Sequence, residues 1–501
     1  MVYIGDKDPR KLSFALPKGV TCHEKGSGFQ LVRNFPLKTM ILHPAWGSVF
    51  KRLSNGGFVP FETIVSVLKE RDLLKVELFL NDLVRKGFLE QEGISVLSEH
   101  PVVSIIVPVQ NRASEIEECL ISLNKLIYPI EKLETIVVDD ASTDHTPQVV
   151  SGFPVHLIRL KENRQAPYCR NLAAQNAKGD LLAFIDSDCM ADARWLQELV
   201  PTFNDRTTGA VGGMVGAYYQ ESALDRYEEV KSSLIIGRRM RRSMDRDKAF
   251  YVPSCNLLVK RDLFLKLGGF REELLVGEDV DFCWRMQDAG HHVEFRSVGR
   301  VSHKHRNRLA PFCVRRFDYG TSEPLLQRLH PKRGKEMVFP LAGVLFWGVA
   351  VFGIFMGSIA LFSLIVVIVF MDTLRKWAVI RPRGLSIGFS ALFLSVLRGY
   401  FTFFYHCSAF VSRYYLMWAA LMLPLLPAAS ALILGMHLFN GLMEYVMKKP
   451  RLNPLSFLFY FSLEQLSYQM GVWWGCIKNL SFKAVNPRVI RNISDVQTLR
   501  P

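Results

Sequence analysis

The spacing of apolar residues changes period several times along the chain, and the changes divide it. Between Leu37 and Gly93 the period is helical: Pro44–Leu53 and Phe61–Lys69, split by Gly56-Gly57, then Val76–Lys86 with Gly87 as its C-cap. Phe88-Leu89 and Ile94–Leu97 read as a β-wing, so this stretch predicts a small winged-helix domain. From Pro101 the pattern alternates between strand and helix. Val103–Val109 (VSIIVPV) is a short β-branched run, and Ala113–Ile127 carries Ile116, Leu120, Leu123 and Ile127 at helical spacing. Glu134–Val138 is the next strand and ends in Asp139-Asp140; His156–Leu160 is a third; a helix covers about Tyr168–Ala177. Leu181–Ile185 is a fourth strand and ends in Asp186-Ser187-Asp188. Such alternation predicts a parallel α/β sheet with right-handed crossovers, whose ligands bind beyond the carboxyl ends of the strands. Both acidic clusters should then face one crevice.

The apolar weight lies late. Met337–Met371 contains no charged residue, and as one helix it would be about 52 Å long against a hydrocarbon core of ~30 Å. The stretch predicts either one strongly tilted span or a hairpin of two short ones turning near Gly353–Ser358. Tyr414–Leu442, broken by Pro424 and Pro427, is a second such stretch, and Ser386–Val411, which holds Arg398, suits an interface. Lys332, Arg333 and Lys335, then Arg375, Lys376, Arg381 and Arg383, then Lys448, Lys449 and Arg451 flank these runs. The positive-inside rule puts all three flanks in the cytoplasm, so the expected location is the inner (cytoplasmic) membrane, with membrane lipid as a partner. Three regions result: residues 1–100, 101–335 and 336–501.

Composition narrows the classes. A chain of 501 residues, 49% hydrophobic, is too long for one ordinary domain and too apolar for global disorder. A net charge of +15 favours anionic partners without choosing among them. Nine scattered Cys without C-x-x-C exclude a disulfide scaffold and a zinc finger. The first thirty residues carry Asp6, Lys7, Asp8, Arg10 and Lys11, so no signal peptide is expected. Arg238, Arg239, Arg241 and Arg242 form a basic run that reads as a solvated or membrane-facing helix side. No nucleic-acid partner is expected, because interleaved aromatics and a known binding module are both lacking.

The acidic pairs admit two readings. Asp139-Asp140 followed by Ser142 is good turn and cap chemistry. Asp186-x-Asp188 on a tight turn can also hold Mg²⁺ or Mn²⁺ with room for phosphate oxygens. Glu278-Asp279 opens a helix over Val280–Ala289, where acids suit the helix dipole. Their order adds to this. IVPVQNR (Ile106–Arg112), VVDDAS (Val137–Ser142), CRNLAAQNAKGDLLAFIDSD (Cys169–Asp188) and LGGFREELLVGEDVDFCWRMQDAG (Leu267–Gly290) together resemble inverting family 2 glycosyltransferases of the GT-A fold.

That resemblance implies a UDP-sugar donor, a divalent metal and a set of site residues. Asp140 would accept from the uracil imide with Asp139 beside it, Arg170 would contact the nucleotide, and Pro108 and Arg112 would border its pocket. Asp188 would be the main metal ligand, with Asp186 near the ribose or a water held by the metal and Ser187 between them. Asp279 would be the catalytic base that takes the acceptor hydroxyl proton, next to Glu278. A His in SHKHR (Ser302–Arg306) would complete the metal site, His303 in preference to His305, and Arg306 would meet phosphate. The Q/R-x-x-R-W signature of processive channel synthases has no match here, which disfavours a secreting synthase.

HPAWGSVFKRLSNG and FETIVSVL in the first hundred residues resemble PqqD-like peptide-recognition domains. A PqqD-like head, a GT-A domain and a carboxyl-terminal region with YQMGVWWGC (Tyr468–Cys476) together resemble the mycofactocin-system glycosyltransferases. This implies stepwise, β-linked transfer of hexose, glucose from UDP-glucose, onto a peptide-derived redox cofactor. The alternatives are an enzyme acting on a polyprenyl lipid or a cell-envelope polysaccharide, and a non-catalytic peptide-binding scaffold.

Overall fold

The computed structural model describes residues 12–25, 28–34, 37–70, 72–93, 99–237, 239–243, 249–383 and 387–490. The chain forms two compact units. Of the described residues, one gathers those within 12–15, 56–312 and 450–452; the other gathers those within 16–55, 313–449 and 453–490.

The first unit is built on an eight-stranded sheet. The four expected strands are there and are parallel, with Val103–Val109 between Leu181–Ile185 and Leu133–Asp139, and His156–Arg159 outermost. The all-parallel expectation holds for this half only. Asn256–Lys260 pairs antiparallel with Leu181–Ile185, followed by Thr208–Gly212, His292–Phe295 and the edge strand Arg241–Arg242. The sheet is therefore mixed, as in a GT-A-like fold. A three-stranded sheet of Cys189–Ala191, Val301–His303 and Val215–Ala217 stands beside it.

Alternation along each strand sorts the core into two layers. Leu181, Ala183 and Ile185 pack with Ile116, Leu120 and Trp195; Leu182 and Phe184 face Cys169, Ala173, Phe282 and Met286. Phe184, Phe264, Phe270 and Phe282 meet with ring centroids 5.0–5.2 Å apart. These rings anchor the loop that leads into the helix Glu278–Asp288.

The basic run is not a solvated helix side. Arg238 lies outside the described residues; Arg242, in the edge strand, is paired with Asp205 and, at 3.3 Å, with Glu294. In the amino-terminal part of this unit, Ser13–Ala15 pairs with Val59–Pro60 and with Glu90–Glu92, and the helices Phe61–Leu68 and Leu73–Lys86 lie between those two partner strands in sequence. Ile94–Leu97, the expected second part of the wing, lies outside the described residues.

The second unit holds the meander Val20–Lys25, Gly28–Asn34 and Leu37–Leu42, the helix Gly47–Ser54, and the long carboxyl-terminal helices. Among the described residues no helix is long and apolar enough to cross a membrane, which overturns the expected inner-membrane location and its cytoplasmic topology. The uncharged run breaks at Gly357 into Leu341–Met356 and Ile359–Ile380. The first has 16 residues, about 24 Å of helix against a ~30 Å core. The second takes Asp372, Arg375 and Lys376 into its later turns. Phe389–Met422 carries Arg398 and Arg413, and Pro427–Lys448 buries Ser430, His437 and Asn440.

The glycines of the YQMGVWWGC motif have a packing role. A Cβ at Gly471 would stand 2.0 Å from the Phe317 carbonyl oxygen, and one at Gly475 would stand 2.6 Å from that of Thr321. Gly320 answers from the opposite helix, 2.1 Å from the Tyr468 oxygen by the same measure. Small residues four apart on Pro454–Lys478 thus let it touch Leu309–Leu329 backbone to backbone. Beside this contact Glu323 accepts from Tyr468 (2.6 Å) and from Tyr414, and is paired with Lys335.

Candidate active site

Leu181–Ile185 delivers Asp186, Ser187 and Asp188 onto the turn at its carboxyl end. The two carboxylates part there. Asp186 accepts a 2.6 Å hydrogen bond from Arg170, a residue only 4% exposed. Asp188 turns the other way, and its two oxygens meet different groups. Oδ2 is paired with Arg112 and lies 3.5 Å from the Arg306 guanidinium; Oδ1 lies 3.5 Å from His303 Nε2. Burial alone would push the Asp188 carboxyl up, but His303, Arg112 and Arg306 hold it down at about 2. Ser187 is buried in the turn.

His303 arrives from the neighbouring small sheet, where it is the register partner of Cys189. His305 sits behind it, with the two Nδ1 atoms 3.2 Å apart and Glu228 3.7 Å from His305. Asp188, Cys189 and His303 each bring a ligand atom within 4.8 Å of the others. A carboxylate oxygen with an imidazole nitrogen is a donor set that suits Mn²⁺-type ions, so these residues fit the metal that the sequence implies.

The second acidic pair opens the helix Glu278–Asp288. Gly277 precedes it at φ +84°, a left-handed conformation that glycine adopts without cost. Glu278 accepts from Arg170 at 2.9 Å, so one buried guanidinium ties the D-x-D turn to this helix. Asp279 keeps part of its surface open. Its oxygens accept from the backbone N–H groups of Ser254 (3.1 Å) and Val280 (2.8 Å). Desolvation and the adjoining Glu278 carboxylate nonetheless push its carboxyl up, to about 7. Asp281 is fully buried between Arg271 (3.0 Å) and Arg285 (2.7 Å) and holds the loop rather than facing the crevice.

The pair after Leu133–Asp139 does turn chemistry. Asp139 accepts from the Ser142 N–H and from Arg159, each at 3.2 Å. Asp140 accepts from the N–H groups of Arg164 (2.7 Å) and Gln165 (2.9 Å), where the helix Gln165–Asn176 begins. Pro108 is the register partner of Val138 in the adjoining strand. Asn111, Ala141 and Gln165 all have positive φ around this point. A backbone bent this way at three non-glycine positions marks a shaped site.

Beside Asp188 a cavity of about 180 Å³ is lined by Arg112, Tyr219, Lys304, Arg306 and Arg308 among others. Lys304 is paired with Glu118 at 2.8 Å and lies over the Tyr218 ring. Several contributors were not singled out from sequence. Asn171 clamps Phe270 through reciprocal 2.8 Å hydrogen bonds and so fixes the loop before Asp279. Asn256 receives the Trp195 indole at 2.8 Å and donates to Met214 and Gly299. Ser254 and Cys189 belong here too. Only Cys189, next to the D-x-D, had a signal in the sequence.

Residues 104–268 match the family model described as Glycosyl transferase family 2. The chain carries a family 2 glycosyltransferase domain. Likeness extends beyond that domain. The pre-mycofactocin glycosyltransferase of Mycobacterium tuberculosis is 25% identical over 401 residues, 78% of this chain and 83% of that one. The glycosyltransferase AglE of Haloferax volcanii is 32% identical over 202 residues, 39% of this chain and 64% of its own. Among solved structures, the mannosyltransferase PcManGT of Pyrobaculum calidifontis aligns at 20% identity and a TM-score of 0.38, over 65% of this chain and 94% of that one.

Proposed function

We propose that this glycosyltransferase is metal-dependent and inverting, and that it builds hexose units stepwise and β-linked, from UDP-glucose, onto a peptide-derived redox cofactor of the mycofactocin system. The acceptor rests on the likeness to the Mycobacterium tuberculosis enzyme, which spans 78% of this chain. The observation that carries the chemistry is Asp279, a partly open carboxylate beside the Glu278–Arg170–Asp186 chain, with its carboxyl raised to about 7.

An inverting transfer needs one base, because the acceptor oxygen displaces the leaving group in a single step and no sugar–enzyme bond forms. Asp279 takes the proton of the acceptor hydroxyl as that oxygen attacks the anomeric carbon. A carboxyl with a pKa near 7 suits the task, since a large fraction is ionised at neutral pH and that fraction is basic enough to accept. The Ser254 N–H aims the carboxylate, and Arg170 pairs with the Glu278 carboxylate beside it. Asp188 and His303 would hold the divalent cation, Mn²⁺ or Mg²⁺, which when bound neutralises charge on the departing diphosphate. Arg112 and Arg306 stand ready to meet the same phosphates. The amino-terminal elements would present the peptide-derived acceptor.

The test is a product analysis. Purified protein is given Mn²⁺, a panel of nucleotide sugars and a small-metabolite extract containing peptide-derived acceptors, and products are read by mass spectrometry. A hexose ladder on a peptide-derived molecule with UDP-glucose alone is expected. A ladder only on lipid-extractable material would overturn the acceptor assignment, and sugar transfer from another donor alone would overturn the donor.

A further inference from the structure

The ligand set around Asp188 contains one member that the proposed reaction does not use. Cys189 and His303 are direct register partners in antiparallel strands, so their side chains share one face of the small sheet. Asp188 sits in the turn before that strand and points to the same side: Cys189 Sγ lies 3.9 Å and His303 Nε2 3.5 Å from its Oδ1. All three ligand atoms fall within 4.8 Å of one another. A tetrahedral Zn²⁺ has bonds of about 2.0 Å to oxygen and nitrogen and about 2.3 Å to sulfur, which puts its ligand atoms roughly 3.3–3.7 Å apart. The two spacings from Asp188 Oδ1, 3.5 and 3.9 Å, are already close to that. The arginines do not compete for this position, because Arg112 and Arg306 meet the other carboxylate oxygen, Oδ2.

We infer that this site binds thiophilic divalent cations, Zn²⁺ or Co²⁺, through Asp188 Oδ1, Cys189 Sγ and His303 Nε2, and that such ions exclude the metal used in transfer. The inference rests on the reading of Asp188 and His303 as the donor-metal ligands. Hard ions such as Mg²⁺ and Mn²⁺ favour carboxylate and phosphate oxygens and leave the thiol aside. A softer ion recruits it: the Cys189 S–H bond breaks, the sulfur keeps the electron pair and bonds the cation, and the proton goes to solvent. Three protein ligands then hold the ion without nucleotide, whereas the ion of the transfer reaction has two and needs the diphosphate. Metal choice at this site is therefore set by one residue beside the D-x-D turn. Zinc should act as an inhibitor that does not need UDP to bind.

Titration of the full-length protein with CoCl₂, without nucleotide, tests this. A thiolate-to-cobalt charge-transfer absorption in the near ultraviolet is expected in the wild type and should vanish in both Cys189→Ser and His303→Ala. Zn²⁺ should release bound Co²⁺, and the concentration that does so should rise more than about tenfold in Cys189→Ser, at least the loss that removing an outer partner brings. Absence of the band in the wild type, or its persistence in either variant, would overturn the inference. Calorimetric binding of UDP in Mn²⁺, run on the same wild-type sample, separates the two claims. UDP binding without the cobalt band refutes the thiol ligand alone, and the band without metal-dependent UDP binding refutes the donor-site reading alone.

Discussion

Arg170 donates a 2.9 Å hydrogen bond to Glu278, 108 residues further along the chain, and with its other nitrogen holds Asp186. One guanidinium thus joins the turn after Leu181–Ile185 to the helix that carries Asp279, and fixes the spacing between the proposed metal ligand and the proposed base.

Removing that guanidinium should cost stability as well as activity. Arg170→Ala leaves the buried Glu278 with only the Ser254 hydroxyl as a partner and takes the guanidinium from Asp186, and breaking a buried pair in this way typically costs about 3–5 kcal/mol. Denaturant unfolding of the first unit should show a loss of this order. A loss below about 1 kcal/mol would mean that the bridge is not what holds the two acidic turns.

Asp279 makes a two-sided pH prediction. Its carboxyl is raised to about 7, so kcat/KM should climb through that region and level off above it as the base ionises. Stability should move the other way. A carboxyl whose pKa is higher folded than unfolded contributes fully below the unfolded value and loses its contribution as pH rises through the folded one. Asp279→Asn, neutral throughout, should therefore gain on wild type as pH rises from about 4 to 7: it should melt clearly higher at pH 8, with a gap that is much smaller at pH 5. Melting curves that stay parallel at both pH values would remove the raised carboxyl.

Much of this site was visible in the chain. Strand ends terminating in Asp139-Asp140 and Asp186-x-Asp188, and a helix opening on Glu278-Asp279, are local patterns, and the structure puts them where the periods pointed. What escaped was non-local. Asn256–Lys260 inserts antiparallel beside Leu181–Ile185, and nothing in its five residues says which neighbour it takes. Asn171, Asn256 and Ser254 matter through partners 25 to 99 residues away. The membrane expectation failed for a related reason. A window of apolar residues reports hydrophobicity but not where Gly357 ends a helix, nor that Asp372 is taken into the next one to accept from Tyr400.

Close helix contact in the second unit explains the motif around Gly471. Gly471→Ala drives a Cβ against the Phe317 carbonyl, which cannot move alone, and should destabilise by about 1–3 kcal/mol. Gly435→Ala, in an open helix position with nothing within 4 Å, should be neutral or stabilising by up to about 1 kcal/mol. Equal effects in thermal unfolding would contradict the packing account.

His437 is buried between Ser412 (2.7 Å) and Ser462 (2.8 Å) and stacks on Phe461. Burial lowers its pKa to about 4 from a usual 6.5. The unfolded chain takes up the proton first as pH falls, so stability should decline between about pH 6.5 and 4, by on the order of 3 kcal/mol in total. His437→Gln should flatten that part of the stability profile of the second unit. An unchanged acid slope would show that other groups set it.

The most direct test of the account is calorimetric binding of UDP, in Mn²⁺ and in chelator, to wild type, Asp188→Ala and Asp279→Asn, with sugar transfer assayed on the same samples. Wild type should bind UDP only with metal, Asp188→Ala should lose more than about tenfold in affinity, and Asp279→Asn should bind as wild type yet lose roughly 10²–10⁴-fold in transfer. Metal-independent binding that Asp188→Ala leaves intact, or transfer at near wild-type rate by Asp279→Asn, would contradict it.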